Sequence, residues 1–168
     1  YLRSGFIAMP MSFPYILGCD LAGTVEALGP GASRFQVGDR VWGSNQGILG
    51  RQGIMAEFAA VDEDWLYPTP AQLADTEAAA MALVGITAHL GLFQFGRLQP
   101  GEKVYVPGGS GVIGSMVVQM AKATGAHVAT AAGSEKNLQI CRELGTDLAL
   151  NYKSDDIPAR LRDFAPEG

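Results

Sequence analysis

The stretch that most constrains the fold is residues 103–151, where a short apolar run, a glycine-rich turn, a helical pattern and a second apolar run follow one another. Lys103 to Val106 has the continuous apolar character of a fully buried parallel strand. It leads into Pro107-Gly108-Gly109-Ser110-Gly111-Val112-Ile113-Gly114, which contains G-x-G-x-x-G at Gly109, Gly111 and Gly114. In a chain with 22 glycines that spacing alone is weak, and its context is what raises it. Val112 to Thr124 reads as a helix, with Val117, Met120, Ala121 and Thr124 at helical spacing and Gly125 at the C′ position. His127 to Ala132 is a second buried strand. Ser134 caps a further helix whose Leu138, Cys141 and Leu144 face inward and which stops at Gly145. Leu148 to Asn151 is a third strand, and Ser154 to Phe164 another amphipathic helix. Strands alternating with helices at this interval give βαβ units and a parallel sheet.

A glycine motif between a strand and a helix is the signature of a dinucleotide site. Gly109 permits the tight turn, Gly111 lets the backbone approach a pyrophosphate, and Gly114 allows helix and sheet to pack closely. Orphan amides and the positive helix end receive the phosphates. Cofactor choice follows from the end of the second strand, where an NAD-selective domain places an Asp or Glu roughly 20 residues past the motif. Here that place reads Ala131-Ala132-Gly133-Ser134. No carboxylate precedes Glu135, and at a helix start that side chain is expected to face solvent.

Up to about Leu73 the pattern differs. Short β-like segments alternate with turns: Leu21 to Leu28, Arg40 to Trp42, Ala56 to Val61 and Trp65 to Thr69, with a loop of four glycines from Gly43 to Gly53. This half reads as a small, irregular, mostly antiparallel barrel. Asp75 is a plausible N-cap for an Ala-, Leu- and Met-rich helix over 76–95, broken near Gly85 and ended by Gly96. The two domains are expected at residues 1–75 and 76–168.

Composition excludes several partners. Twelve Lys+Arg against 17 Asp+Glu leave a formal charge of −5, which argues against nucleic acid. Hydrophobic residues at 48% and charged ones at 17% describe a core-forming chain without a run of consecutive apolar residues long enough for a membrane span. Two cysteines, Cys19 and Cys141, supply neither a disulfide framework nor a zinc lobe and suit a reducing cytoplasm. The chain opens on Tyr1 and closes just after a helical pattern, so it reads as the middle of something longer.

GCDLAGTVEALGPG (18–31), QVGDRVWG (36–43), GITAHLGL (85–92) and VYVPGGSGVIGSMVVQMAKATGA (104–126) together resemble the medium-chain dehydrogenase/reductase superfamily, most of all its zinc-independent quinone oxidoreductases. The resemblance covers nearly the whole chain in order. It implies an α/β protein in which a partial GroES-like β-barrel domain, lacking its first strands, precedes the first half of a Rossmann doubly wound domain. It also implies NADP(H) as cofactor, a quinone or enone as the small-molecule acceptor, and a homodimer in the full-length protein.

By the same resemblance Gly109, Ser110, Gly111, Val112, Ile113 and Gly114 lie on the pyrophosphate, while Gly133, Ser134, Lys136 and Tyr152 surround the adenosine 2′-phosphate. Thr87 falls close to the nicotinamide, and Asn45 near the cofactor cleft. The relatives' lysine comes one place later, where this chain has Asn137, and Val112 replaces a usual glycine. Zinc-dependent relatives carry Gly-His-Glu where Gly18-Cys19-Asp20 stands, and a single thiolate is no zinc site, so Cys19 is expected to pack as a small buried hydrophobe. Tyr1 lies in a segment like the one before the family's cleft. Where some relatives have an active-site tyrosine this chain has Phe6-Ile7, so no catalytic acid is assigned. Hydride transfer suits so sparse an acid–base inventory. The alternatives are an NADPH-dependent enoyl reductase and a catalytically silent NADPH-binding relative. A doubly wound sheet with only three of its strands leaves the first as an open edge, and the 168 residues alone are expected to be inactive.

Overall fold

The computed structural model describes residues 13–167. Tyr1 and the Phe6-Ile7 position lie outside the described residues. The chain forms two compact units that divide between Leu83 and Val84.

In the first unit, β1 (Leu21–Thr24), β2 (Arg40–Gly43) and β3 (Leu66–Pro68) form an antiparallel sheet in that order. Leu21 faces Gly43, and Val41 faces Pro68. Phe35, Val41 and Leu66 make the small core, with Leu21, Val25 and Val61 packed on it. The first strand is shorter than its apolar pattern, because Val25 already turns to bond Asp39 and Gly38 and Leu28 is exposed. Ala56 to Val61 is no strand: it has no ladder partner among the described residues, and Phe58 is exposed. A single 3-10 turn, Glu63–Trp65, leads into β3.

α1 (Asp75–His89) runs unbroken through Gly85 and continues as a π-helical segment, Leu90–Phe95. Asp75 is not its cap. Ala74 takes that place, its N–H bonded to Glu77 (3.0 Å) and its carbonyl to the Ala78 N–H (2.9 Å), as in a capping box. Asp75 pairs instead with Arg40 at 2.5 Å. By length and average composition the 21-residue helical run Asp75–Phe95 is apolar enough to span a bilayer, its most apolar 18-residue stretch having a mean hydropathy of 1.6. Thr87, His89 and Gln94 interrupt the stretch, so it holds no long run of consecutive apolar residues.

The second unit carries β4 (Lys103–Pro107), α2 (Val112–Thr124), β5 (His127–Ala132), α3 (Glu135–Glu143), β6 (Leu148–Asn151) and α4 (Ile157–Phe164). Its sheet is parallel, in the order β4-β5-β6. β5 is central and most deeply buried, with Val128, Ala129 and Thr130 at 0% exposure. Val118 and Ala121 of α2 press on it with Val106 and Leu92, and Leu138 and Cys141 bury the inner face of α3. Gly125, at φ 87°, closes α2 in the left-handed region. α4 starts at Ile157, later than its pattern, because Asn151 and Asp155 close a turn on each other first and Asp156 then caps the helix.

Candidate nucleotide site

The loop after β4 is built by consuming some backbone donors and sparing others. Gly108 takes the left-handed conformation at φ 73°, so it, and not Gly109, makes the sharp turn that only glycine adopts readily. Its N–H bonds Ala131 O at 3.0 Å, tying the loop to the end of β5. Gly109 donates to Thr130 Oγ1 at 3.0 Å, and Gly111 to Gly108 O at 2.9 Å. The first helical bond of α2 is Ser115 N–H to Gly111 O at 2.8 Å. Among the described residues, the N–H groups of Ser110, Val112, Ile113 and Gly114 have no protein acceptor. Four donors thus stay open at the positive end of α2, which is what an anionic group requires.

The glycines are demanded by this packing. A Cβ at Gly109 would strike Thr130 Oγ1, and one at Gly111 would lie 3.2 Å from Gly108 O. A Cβ at Gly114 would strike Gly108 O and sit 3.0 Å from Gly109 Cα. Gly114 therefore lets the helix close on its own loop rather than on the sheet, and this corrects the role expected for it. Val112 and Ile113 are exposed apolar side chains beside the open amides.

At the end of β5, Gly133 meets Tyr152, and Ser134 and Lys136 follow at the start of α3. The Tyr152 N–H bonds Ala132 O at 3.2 Å, and its hydroxyl occupies the space where a side chain on Gly133 would begin. Ser134 caps α3, its Oγ accepting the Asn137 N–H at 3.4 Å, which leaves the hydroxyl proton to donate outward. Lys136 is exposed and makes no ion pair among the described residues. Glu135 is directed along α3 to Arg142, at 2.5 Å, with its side chain 74% exposed. Glu135 is therefore engaged elsewhere, as its position at the helix start suggests, and Asp155 at the neighbouring end of β6 accepts the Asn151 N–H at 2.8 Å.

Below the loop lies Cys141, at 0% exposure. Burial pushes its thiol pKa up, while hydrogen bonding to Thr130 and Ser110 works in the opposite direction. At the other end of β5, burial would raise the Asp147 carboxyl. Bonds from Lys122 (2.8 Å) and the Val128 N–H (2.6 Å), with the charges of Lys122 and His127, outweigh that and hold it below the ordinary range.

In the first unit Asn45 adopts φ 65°, unusual for a residue with a side chain. Its carbonyl accepts from Arg51 Nε at 2.8 Å, and the Arg51 guanidinium lies 4.3 Å above the Trp65 ring. Ser44 and Gln46 on either side are buried. Thr87 is exposed on α1, within the second unit. Cys19 is half-buried rather than packed among apolar groups, its sulfur 3.8 Å from Ser44 Oγ, which donates to Asp20 at 2.6 Å. Among the described residues no group of three His, Cys, Asp or Glu side chains could hold a metal ion. Sequence reasoning missed Thr130, Gly108 and Arg51. A lone threonine in an apolar strand was the one available signal for Thr130.

Family models match both halves: the alcohol dehydrogenase GroES-like domain over residues 1–71 and the zinc-binding dehydrogenase over residues 112–168. A quinone oxidoreductase of Mus musculus is 36% identical over 162 residues, covering 96% of this chain and 48% of its own length. The Escherichia coli quinone oxidoreductase solved in complex with NADPH superposes with a TM-score of 0.86 at 28% identity, over 99% of this chain and 49% of that one. An NAD-dependent alcohol dehydrogenase superposes with a TM-score of 0.89 at 30% identity, over 98% and 55%. The chain spans about half the length of the curated quinone oxidoreductases it matches. With one family model on each half, in family order, and quinone oxidoreductases aligned across nearly all of it, the chain belongs to the quinone oxidoreductase branch of the medium-chain dehydrogenase/reductase superfamily.

Proposed function

We propose that the protein is an NADPH-dependent oxidoreductase that delivers hydride to a quinone or related activated carbonyl compound without zinc. The observation that carries this reading is the pairing of four open loop amides with a β5 end free of any inward carboxylate. Solved relatives differ in cofactor, one being bound to NADPH and another described as NAD-dependent. The chain's own residues therefore have to decide, and they favour the phosphorylated form.

The bound cofactor would supply the hydride. The protein's part is to bind and orient it. The N–H groups of Ser110, Val112, Ile113 and Gly114 hold the pyrophosphate, with Gly109 and Gly111 shaping the turn. Ser134, Lys136 and Tyr152 take the 2′-phosphate beside Gly133 through a hydroxyl, a cation and a phenol. Thr87 is assigned to the nicotinamide side and Asn45 to the cofactor cleft on family resemblance, and Asn45's left-handed, tied backbone fits a residue held for a purpose. Quinone suits a site without an assigned acid, because the aromaticity of the product stabilises the developing oxyanion that a protein donor must otherwise support.

Because the relatives are about twice as long, turnover is assigned to a longer protein in which these residues hold the nucleotide. That protein is proposed to be a cytoplasmic homodimer. The test is NADPH oxidation against a panel of quinones and 2-enoyl thioesters, with a chelator present throughout. Quinone turnover that survives the chelator supports the proposal. Loss with the chelator, or turnover of enoyl thioesters far above quinones, contradicts it.

A further inference from the structure

Thr130 lies in the middle of the central strand, at 0% exposure, where an apolar residue would ordinarily pack. Its hydroxyl donates to Val106 O at 2.6 Å and accepts the Gly109 N–H at 3.0 Å. One buried oxygen thus joins the end of β4, the phosphate loop and β5. Gly109 fits against it because it has no Cβ to collide with Thr130 Oγ1.

We infer that Thr130 is a positioning residue for the dinucleotide: by taking the Gly109 N–H inward, it sets the loop path that turns the amides of Ser110, Val112, Ile113 and Gly114 outward. The inference rests on reading that loop as the pyrophosphate cradle. A carbonyl is acceptor only and could not serve both partners, whereas a hydroxyl donates to one and accepts from the other. Without it Gly109 keeps a buried donor with no acceptor, and the loop gains by turning that N–H toward solvent, which disturbs the open amides. A valine preserves the shape of the side chain and removes both bonds.

The experiment is titration of the full chain and its variants with two probes: NADPH, which uses the loop, and adenosine 2′-monophosphate, which has no pyrophosphate. In Thr130→Val, NADPH binding is expected to weaken about tenfold or more, the scale of one unsatisfied buried donor, while adenosine 2′-monophosphate binding stays within about twofold. Thr130→Ser, which keeps the hydroxyl, should bind NADPH within about threefold of the unaltered protein. A purely structural residue would move both probes together. Unchanged NADPH binding in Thr130→Val, equal loss of both probes, or loss in Thr130→Ser overturns the role of Thr130. If Thr130→Val does not fold, Thr130→Ala carries the same test. Failure of the unaltered protein to bind NADPH overturns the nucleotide reading itself, and this inference with it.

Discussion

The hydroxyl of Tyr152 rests against the α-carbon of Gly133, filling the space that any side chain at position 133 would need. The two residues come from the ends of neighbouring strands, β5 and β6, whose register pairs Ala132 with Asn151. Position 133 is therefore tied to the placement of a phenol that is otherwise 60% exposed.

Substitution at Gly133 should act in two separable ways. Gly133→Ala displaces Tyr152 without adding charge and is expected to weaken NADPH binding severalfold while leaving NADH nearly unchanged. Gly133→Asp adds repulsion of the 2′-phosphate and should weaken NADPH further, moving preference toward NADH. Fluorescence titration of both variants with both nucleotides checks this. Identical behaviour of the two variants would remove the charge argument.

Asp147 makes stability depend on acid. Its carboxyl is held below the ordinary range by Lys122, the Val128 N–H and His127 against the opposing effect of burial. Its contribution is therefore complete above the pKa of an unfolded aspartate, about 3.9, and is lost as pH falls through the lower folded value. Asp147→Asn should lower stability at pH 7 by about 1–2 kcal/mol, a discounted value for a carboxylate still partly exposed. Urea midpoints measured from pH 7 down into acid should show the difference between the two proteins closing.

The two thiols should differ in reactivity. Cys141 is fully buried and its pKa is raised, whereas Cys19 is half-exposed beside Ser44. Because the thiolate is the nucleophile, iodoacetamide should modify Cys19 first, with Cys141 following only on unfolding. Peptide mass spectrometry after timed labelling reads this directly, and early modification of Cys141 would contradict the packing beneath the loop.

The parallel half was legible because periodicity and punctuation agree there. The spans of α2, β5 and β6 follow from Gly125, Ser134 and Gly145, residues whose backbone or capping chemistry stops an element at a defined place. The antiparallel half was less legible. Ala56 to Val61 has strand composition, but its fate depends on whether a neighbour offers a free edge, which no local pattern records. Gly85 looked like a break because glycine weakens helices in isolation. In the folded unit it sits in α1 with the Met120 methyl 4.0 Å from where its Cβ would lie, a tertiary neighbour that composition does not reveal. In the site, glycine spacing located the loop but assigned its turn to Gly109 in place of Gly108. The Thr130 bond lies 21 positions away in sequence, and only the folded sheet brings it to the loop.

The central claim is that the β5 end and its loop form a site for a 2′-phosphorylated dinucleotide. Titration of the unaltered protein with NADPH and NADH, followed by nucleotide fluorescence in one buffer, tests it most directly. The account predicts NADPH binding at least about tenfold tighter, a difference of about 1.4 kcal/mol, reduced when Lys136 is replaced by alanine. Equal affinities, or tighter binding of NADH, would contradict it.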